Sequence, residues 1–220
     1  MTVRVLQGPL RGAKWIIGSH THGCWIGTYE ASRQRALERL VTPGMVVYDL
    51  GANVGFYTLL AARLVGADGL VVAFEPLPRN LRHLRRHVAL NACGNVMVID
   101  AAVSDRAGVA TLRADGSATA RLGAGGDILV RTLTLDDAVF GQGLRPPAIL
   151  KMDVEGAELD VLRGAARTLE TWRPILLLST HSTALRRECH RVLAEAGYSL
   201  RAEAGQGAAG STDEIIATPA

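Results

Sequence analysis

The feature that most limits what this chain can fold into is an alternation. A short apolar run is followed by a turn, then by a stretch of helical periodicity, and the unit recurs along the chain. Met45 to Leu50 precedes a helical pattern from Phe56 to Val65, which Gly66 ends, and Leu70 to Glu75 precedes one from Pro78 to Asn91. Asn95 to Asp100 is a third run. Ile149 to Asp153 leads into a helix from about Ala157 to Leu169, and Pro174 to Thr180 into one from about Ala184 to Ala196. Runs with little polar alternation suit strands buried on both faces. Strands separated by helices imply an α/β fold: a mostly parallel sheet, helices on both faces and right-handed crossovers. Tyr198 to Ala202 and Glu214 to Thr218 are joined only by a Gly-rich turn around Gly205 to Gly210, so they should pair as an antiparallel hairpin at one end of the sheet.

The 220 residues suit a single domain, 1–220, with an N-terminal segment over 1–44 ahead of a Rossmann-like core over 45–220. In the first segment, Val3 to Leu6 and Lys14 to Ile17 can form a small hairpin among glycines. A helix over 30–41 carries the stripe Ala36, Leu37, Leu40 and Val41, and Pro43-Gly44 stops it. Ala114 to Asp127, rich in Gly and Ala, reads as a flexible surface loop.

Charge says little about partners. The formal net charge is +3, and all basic residues but Lys14 and Lys151 are arginines, a pattern that fits GC-rich coding. No basic block is interleaved with aromatics, so no nucleic-acid partner is expected. Cys24, Cys93 and Cys189 form no close pair, which fits a reducing compartment. No apolar signal core follows Met1-Thr2-Val3-Arg4, and no run is long enough to span a membrane. The expectation is a soluble cytoplasmic protein with no membrane partner; its oligomeric state is left open.

The chemistry concentrates at the carboxyl ends of the strands, where an open parallel sheet binds ligands. The first strand ends in Tyr48-Asp49-Leu50-Gly51-Ala52-Asn53-Val54-Gly55 and turns into a helix. Glycine lets the backbone approach a ligand, and helix N-terminal amides suit a carboxylate. The spacing D-x-G-x-x-x-G differs from the dinucleotide turn G-x-G-x-x-G and fits a cofactor without a pyrophosphate. Glu75 ends the second strand, where an acid can accept both hydroxyls of a ribose. Asp100-Ala101-Ala102 ends the third, where an adenine would lie. Taken singly, each acid also suits a helix cap or turn; their order along successive strands makes a nucleoside site the better reading.

With these residues in view, the sequence resembles the FkbM family of methyltransferases, within the class I S-adenosylmethionine-dependent fold. The resembling segments are Val46 to Thr58, Ala73-Phe74-Glu75-Pro76, Ala101 to Asp105 and Leu150-Lys151-Met152-Asp153-Val154-Glu155-Gly156-Ala157-Glu158. Trp25 to Glu30 resembles the family's upstream segment. The resemblance implies a seven-stranded sheet of order 3-2-1-4-5-7-6 and methyl transfer from S-adenosylmethionine, usually to a hydroxyl oxygen of a sugar, polyketide or other natural product. Carried over by position, Asp49, Gly51, Ala52, Asn53 and Gly55 line the methionine part of the cofactor, Glu75 and Pro76 its ribose, and Asp100, Ala101 and Ala102 its adenine. Tyr57 and Thr58 sit where they can touch its carboxylate, and Tyr29 and Glu30 where they can fold over it.

A hydroxyl acceptor must lose a proton around the transition state, to a base or under a divalent cation such as Mg²⁺. Asp153 and Glu155 alternate along an extended segment, project to one side and lie near the reactive sulfur, so both are candidate catalytic groups and Asp153 also a cofactor contact. Glu158 follows at helical spacing and caps or pairs. His181, after the fifth strand, is a candidate base or metal ligand; Ser179-Thr180-His181-Ser182 differs from the commoner family form, which has an acid near this strand's end. His83 and His87 share a helix face among arginines and read as solvent-facing. Trp15, Trp25 and Tyr29 form a candidate platform for a sugar ring. The expected acceptor is a small molecule or oligosaccharide. An N-methyltransferase is the nearest alternative, ranked lower because Asp153-Val154-Glu155-Gly156 replaces an Asn-Pro-Pro-Tyr-like turn. A non-catalytic S-adenosylmethionine-binding domain is the other.

Overall fold

The computed structural model of the chain describes residues 1–114, 120–122, 126–203 and 213–220. It opens with an antiparallel pair, β1 (Thr2–Arg4) and β2 (Lys14–Ile16), in which Val3 faces Trp15. A short helix α1 (His22–Ile26) and the amphipathic α2 (Ala31–Leu40) follow. Then comes the alternation: β3 (Val46–Leu50), α3 (Phe56–Val65), β4 (Leu70–Phe74), α4 (Pro78–Leu90) and β5 (Val96–Ile99). Residues 102–133 hold β6 (Ala102–Val103), β7 (Gly108–Ala114), β8 (Ala120–Leu122) and β9 (Ile128–Leu133), followed by a π-helical turn at Asp137–Gly141. The chain ends with β10 (Ile149–Met152), α5 (Glu158–Arg163), α6 (Ala166–Trp172), β11 (Ile175–Ser179), α7 (Thr183–Glu195), β12 (Tyr198–Ala202) and β13 (Glu214–Pro219).

The main sheet has seven strands in the order β12-β13-β11-β10-β3-β4-β5. In units of the main-sheet strands this is 3-2-1-4-5-7-6 read from the other edge. β3, β4, β5, β10 and β11 run parallel, and β13 wedges antiparallel between β11 and β12. Successive residues of β3 face opposite sides: Val46, Tyr48 and Leu50 join one core layer, Val47 the other. The first layer meets α5, α6 and α7, and the second meets α2, α3 and the N-terminal hairpin. Burial on both faces explains the predominantly apolar runs, each fully buried Leu or Val being worth about 1.5–3 kcal/mol.

Three features differ from the sequence reading. First, residues 102–133 include a four-stranded sheet of order β6-β9-β7-β8, where a surface loop was expected at Ala114 to Asp127. Much of that stretch, like the Gly205 to Gly210 turn, lies outside the described residues. The strands were illegible because Gly108 to Ala114 alternates Ala, Thr and Arg with only two large apolar residues, Val109 and Leu112. Second, the single helix expected over Ala157 to Leu169 is broken at Gly164. A Cβ there would stand 2.1 Å from the Ser104 carbonyl oxygen. The Asp136 carboxylate caps the restarted helix, accepting from the Thr168 and Arg167 N–H groups at 2.7 and 3.0 Å. Third, His87 is fully buried rather than solvent-facing. Its Nε2 accepts from the Ile16 N–H at 3.0 Å, which leaves Nδ1 to donate to the Val54 carbonyl at 2.7 Å. Its ring stacks on Trp15 at 4.0 Å. Burial holds the imidazole neutral, with its pKa lowered to about 4. The N-terminal hairpin needed an anchor on α4, and His87 supplies it.

Candidate active site

The carboxyl ends of β3 and β10 meet almost in contact. The parallel register sets Lys151 against Asp49 and Met152 against Leu50. Gly51 then turns away in the left-handed region at φ 74°, and a Cβ on it would lie 1.9 Å from the Asp153 carbonyl oxygen. Gly55, at φ 96°, starts α3, and a Cβ there would press on Leu84 of α4 at 2.6 Å. Only glycine allows both approaches.

Beneath this turn lies a buried polar network. The Lys151 ammonium is 3.0 Å from an Asp49 carboxylate oxygen and donates to the Gly51 carbonyl at 3.0 Å. The Thr58 hydroxyl donates to the other Asp49 oxygen at 2.6 Å. Burial presses the Lys151 pKa down, but the Asp49 and Asp153 carboxylates outweigh it and leave it above the usual lysine value. Lys151 was missed as a site residue. The signal was present, since a lysine inside a wholly apolar strand needs a buried partner, and Asp49 is its neighbour across the sheet.

Glu75 follows β4 and is nearly buried. Its carboxylate accepts from the Asn53 N–H at 2.7 Å, the Leu77 N–H at 2.9 Å and the Asn80 amide at 3.4 Å. Burial outweighs these donors and raises its pKa from 4.5 to about 7. Folding therefore takes up a proton between pH 4.5 and 7. Stability contributed by this group is present below the lower value and lost as pH rises through the upper one. Glu75→Gln should remove a loss on the order of 3 kcal/mol across that window. Urea unfolding of both proteins at pH 5 and pH 8 checks it; an unchanged gap between them would refute the assignment.

Beside Asp153 and Glu155, His181 is encircled by carboxylates. Its Nδ1 lies 2.7 Å from Glu158 Oε1, and its Nε2 lies 3.4 Å from oxygens of both Asp153 and Glu155. The hydrogen bond to Glu158 raises the His181 pKa, against the effect of burial, with Asp153 and Glu155 adding to the rise. Glu158 is fully buried and also accepts from the Gly156 N–H at 3.0 Å. Pairing, one of the two minor roles expected of Glu158, becomes central through the tertiary approach of α5 and the β11–α7 turn.

The Gly51 turn, Glu75 and the Asp153–Glu155 segment border a cleft of about 870 Å³, including its open mouth, whereas His181 and Glu158 stand beside Asp153 and Glu155 without lining it. Of the residues singled out from sequence, Tyr29, Gly51, Ala52, Asn53, Tyr57 and Glu75 line it. Pro76, Ala101, Ala102, Asp153 and Glu155 line it too. Asp49 and Thr58 lie behind the wall in the buried network, and Glu30 holds the Tyr57 hydroxyl at 2.8 Å. Burial raises the Tyr57 pKa, and Glu30 adds to the rise. Asp100 is 58% exposed and turned toward Arg85, so only its neighbours Ala101 and Ala102 reach the cleft. Leu112 of the second sheet and His20 beside α1 are wall residues that sequence reading did not assign. Trp15 is sealed in the core and cannot serve as a platform; Tyr29 alone of the three aromatics lines the cleft.

The sheet order, the glycine turn and the cleft at the strand ends define a class I methyltransferase frame. Within it the assignment is specific: the family model described as the methyltransferase FkbM domain matches residues 49–200, and the chain belongs to this family. The hexuronic acid methyltransferase AglP of Haloferax volcanii is 25% identical over 157 residues, covering 70% of this chain and 63% of AglP. The crystal structure of the methyltransferase FkbM from Methylobacillus flagellatus superposes with a TM-score of 0.57 at 18% identity, over 84% of this chain and 50% of that one. Aeropyrum pernix fibrillarin, crystallised with natively bound S-adenosylmethionine, superposes with a TM-score of 0.51 at 16% identity, over 81% of this chain and 67% of that one. The chain thus spans under two thirds of AglP and half of the Methylobacillus protein. Among the described residues, no helix is long and apolar enough to cross a membrane.

Proposed function

We propose that the chain transfers the methyl group of S-adenosylmethionine to a hydroxyl oxygen of a sugar, glycoside or natural-product scaffold. The observation that carries this reading is the position of Asp153 and Glu155. Both stand on the cleft wall directly after β10, where the Asp153 carbonyl touches the Gly51 turn. In the proposed complex, the α3 N-terminus and Gly51 to Asn53 receive the methionine end of the cofactor. Glu75 accepts the ribose hydroxyls, and Pro76, Ala101 and Ala102 form the apolar wall around the adenine. The acceptor oxygen then approaches the methyl carbon from the Asp153–Glu155 side, and alignment alone supplies several kcal/mol of barrier reduction. As the new O–C bond forms, the C–S electron pair returns to sulfur, leaving S-adenosylhomocysteine, and the hydroxyl proton departs at this acidic wall. The sugar class draws support from AglP, whose name specifies a hexuronic acid.

Calorimetry with S-adenosylmethionine and with NAD separates the reading from a dinucleotide enzyme: heat with the first only is expected. Tritiated methyl donor incubated with a panel of free sugars, uronic acids and glycosides should then label at least one hydroxyl acceptor. Absence of binding to S-adenosylmethionine would sink the proposal. Binding without any methyl transfer would favour a non-catalytic domain, and labelling of amines alone would replace oxygen with nitrogen.

A further inference from the structure

We infer that Asp153, Glu155 and His181 form a binding site for one divalent cation of the Mg²⁺ or Mn²⁺ kind, open toward the cleft. One ligand atom from each lies within 4.8 Å of the other two. His181 Nε2 stands 3.4 Å from each carboxylate. Adjacent ligands of an octahedral Mg²⁺ or Mn²⁺ sit about 3 Å apart, so small side-chain movements close the site.

The second observation is Glu158. It bonds His181 Nδ1 at 2.7 Å, which aims Nε2 at the two carboxylates. A carboxylate behind a metal-binding histidine is a recurrent outer-shell arrangement that fixes the ring and its tautomer. Glu158 is 0% exposed, and its Oε2 is buried without any hydrogen-bond partner. Burying a charged group in this way is costly unless a cation stands close. The buried cations whose fields reach Asp153, Lys151 and Arg33, are already engaged by Asp49 and Glu203. Three carboxylates thus converge on one imidazole, two of them at its Nε2 and one at its Nδ1. Two oxygens and one imidazole nitrogen suit a hard or borderline divalent ion. Three protein ligands leave positions for water and for an acceptor hydroxyl in the cleft. A hydroxyl bound there releases its proton to solvent more readily, and its oxygen then attacks the methyl carbon. That role rests on the methyl-transfer reading above; the site itself does not.

The test uses the full chain stripped with EDTA and then titrated with Mn²⁺, bound metal being read from loss of the free-ion paramagnetic resonance signal. One bound Mn²⁺ per chain, displaced by excess Mg²⁺, is expected. Asp153→Asn, Glu155→Gln and His181→Ala should each weaken it by more than about tenfold, and Glu158→Gln by about 10- to 100-fold through loss of the ring's support. Circular dichroism verifies folding. Glu155 is partly exposed, so Glu155→Gln keeps the test valid if the variant at the buried Glu158 does not fold. Absence of Mn²⁺ binding, or binding indifferent to these substitutions, overturns the site. Methyl transfer undiminished in excess EDTA overturns its role and leaves the methyltransferase reading standing. Mn²⁺ binding without S-adenosylmethionine binding upholds the site and removes that reading instead.

Discussion

Lys151→Met is expected to destabilise the fold by about 3–5 kcal/mol, the usual cost of removing one partner of a buried ion pair. The reason is what remains: Asp49, 1% exposed, keeps the Thr58 hydroxyl but loses the ammonium 3.0 Å away. A stranded charge costs more than the pair was worth, so the effect should be non-additive. Asp49→Asn combined with Lys151→Met should recover a large part of the loss. The Gly51 turn, proposed above to receive the cofactor, should suffer too, because its carbonyl loses its donor. Urea unfolding of the two single variants and the double variant closes the cycle. A cost below about 1 kcal/mol for Lys151→Met, with no coupling to Asp49, would show that the network does not hold the strand ends together.

Gly51→Ala should be comparably damaging for a different reason. The residue has a left-handed φ of 74°, and the new Cβ would sit 1.9 Å from the Asp153 carbonyl oxygen. Backbone strain of about 1 kcal/mol adds to forced separation of β3 and β10, for a total of about 3–5 kcal/mol. The same movement displaces Asp153 from the cleft wall, so S-adenosylmethionine binding should weaken by at least about tenfold. Gly44 provides the control. It has a φ of 86° with nothing within 4 Å of its would-be Cβ. Gly44→Ala should cost only about 1 kcal/mol and leave cofactor binding intact. Equal losses at the two glycines, read from thermal and urea unfolding, would remove the close approach as the cause.

The residues of this cleft differ in how visible they were in the sequence. Gly51, Asp49 and Glu75 stand at ends of apolar runs, and their places follow from strand period and the rule that ligands gather at those ends. Asp100 obeyed the same rule yet points to solvent. Its strand is at the sheet edge, where a side chain has a free side to leave by. His87 shares its helix with five arginines or histidines, and local composition alone called for exposure. The hairpin that buries it arrives from more than 70 residues away. The break at Gly164 and its Asp136 cap have the same long-range origin.

By itself the sequence determined the alternation, hence the parallel sheet, the two-sided core and the glycine turn at the end of β3. Each of these depends on periods of two and 3.6 residues or on the conformational freedom of one glycine, which are local properties. The tertiary structure decided the second sheet, the burial of His87, the Lys151–Asp49 pair and the enclosure of His181 by Asp153, Glu155 and Glu158. Those arrangements join residues distant in the chain, and their energies come from shared burial and charge, which no local pattern encodes.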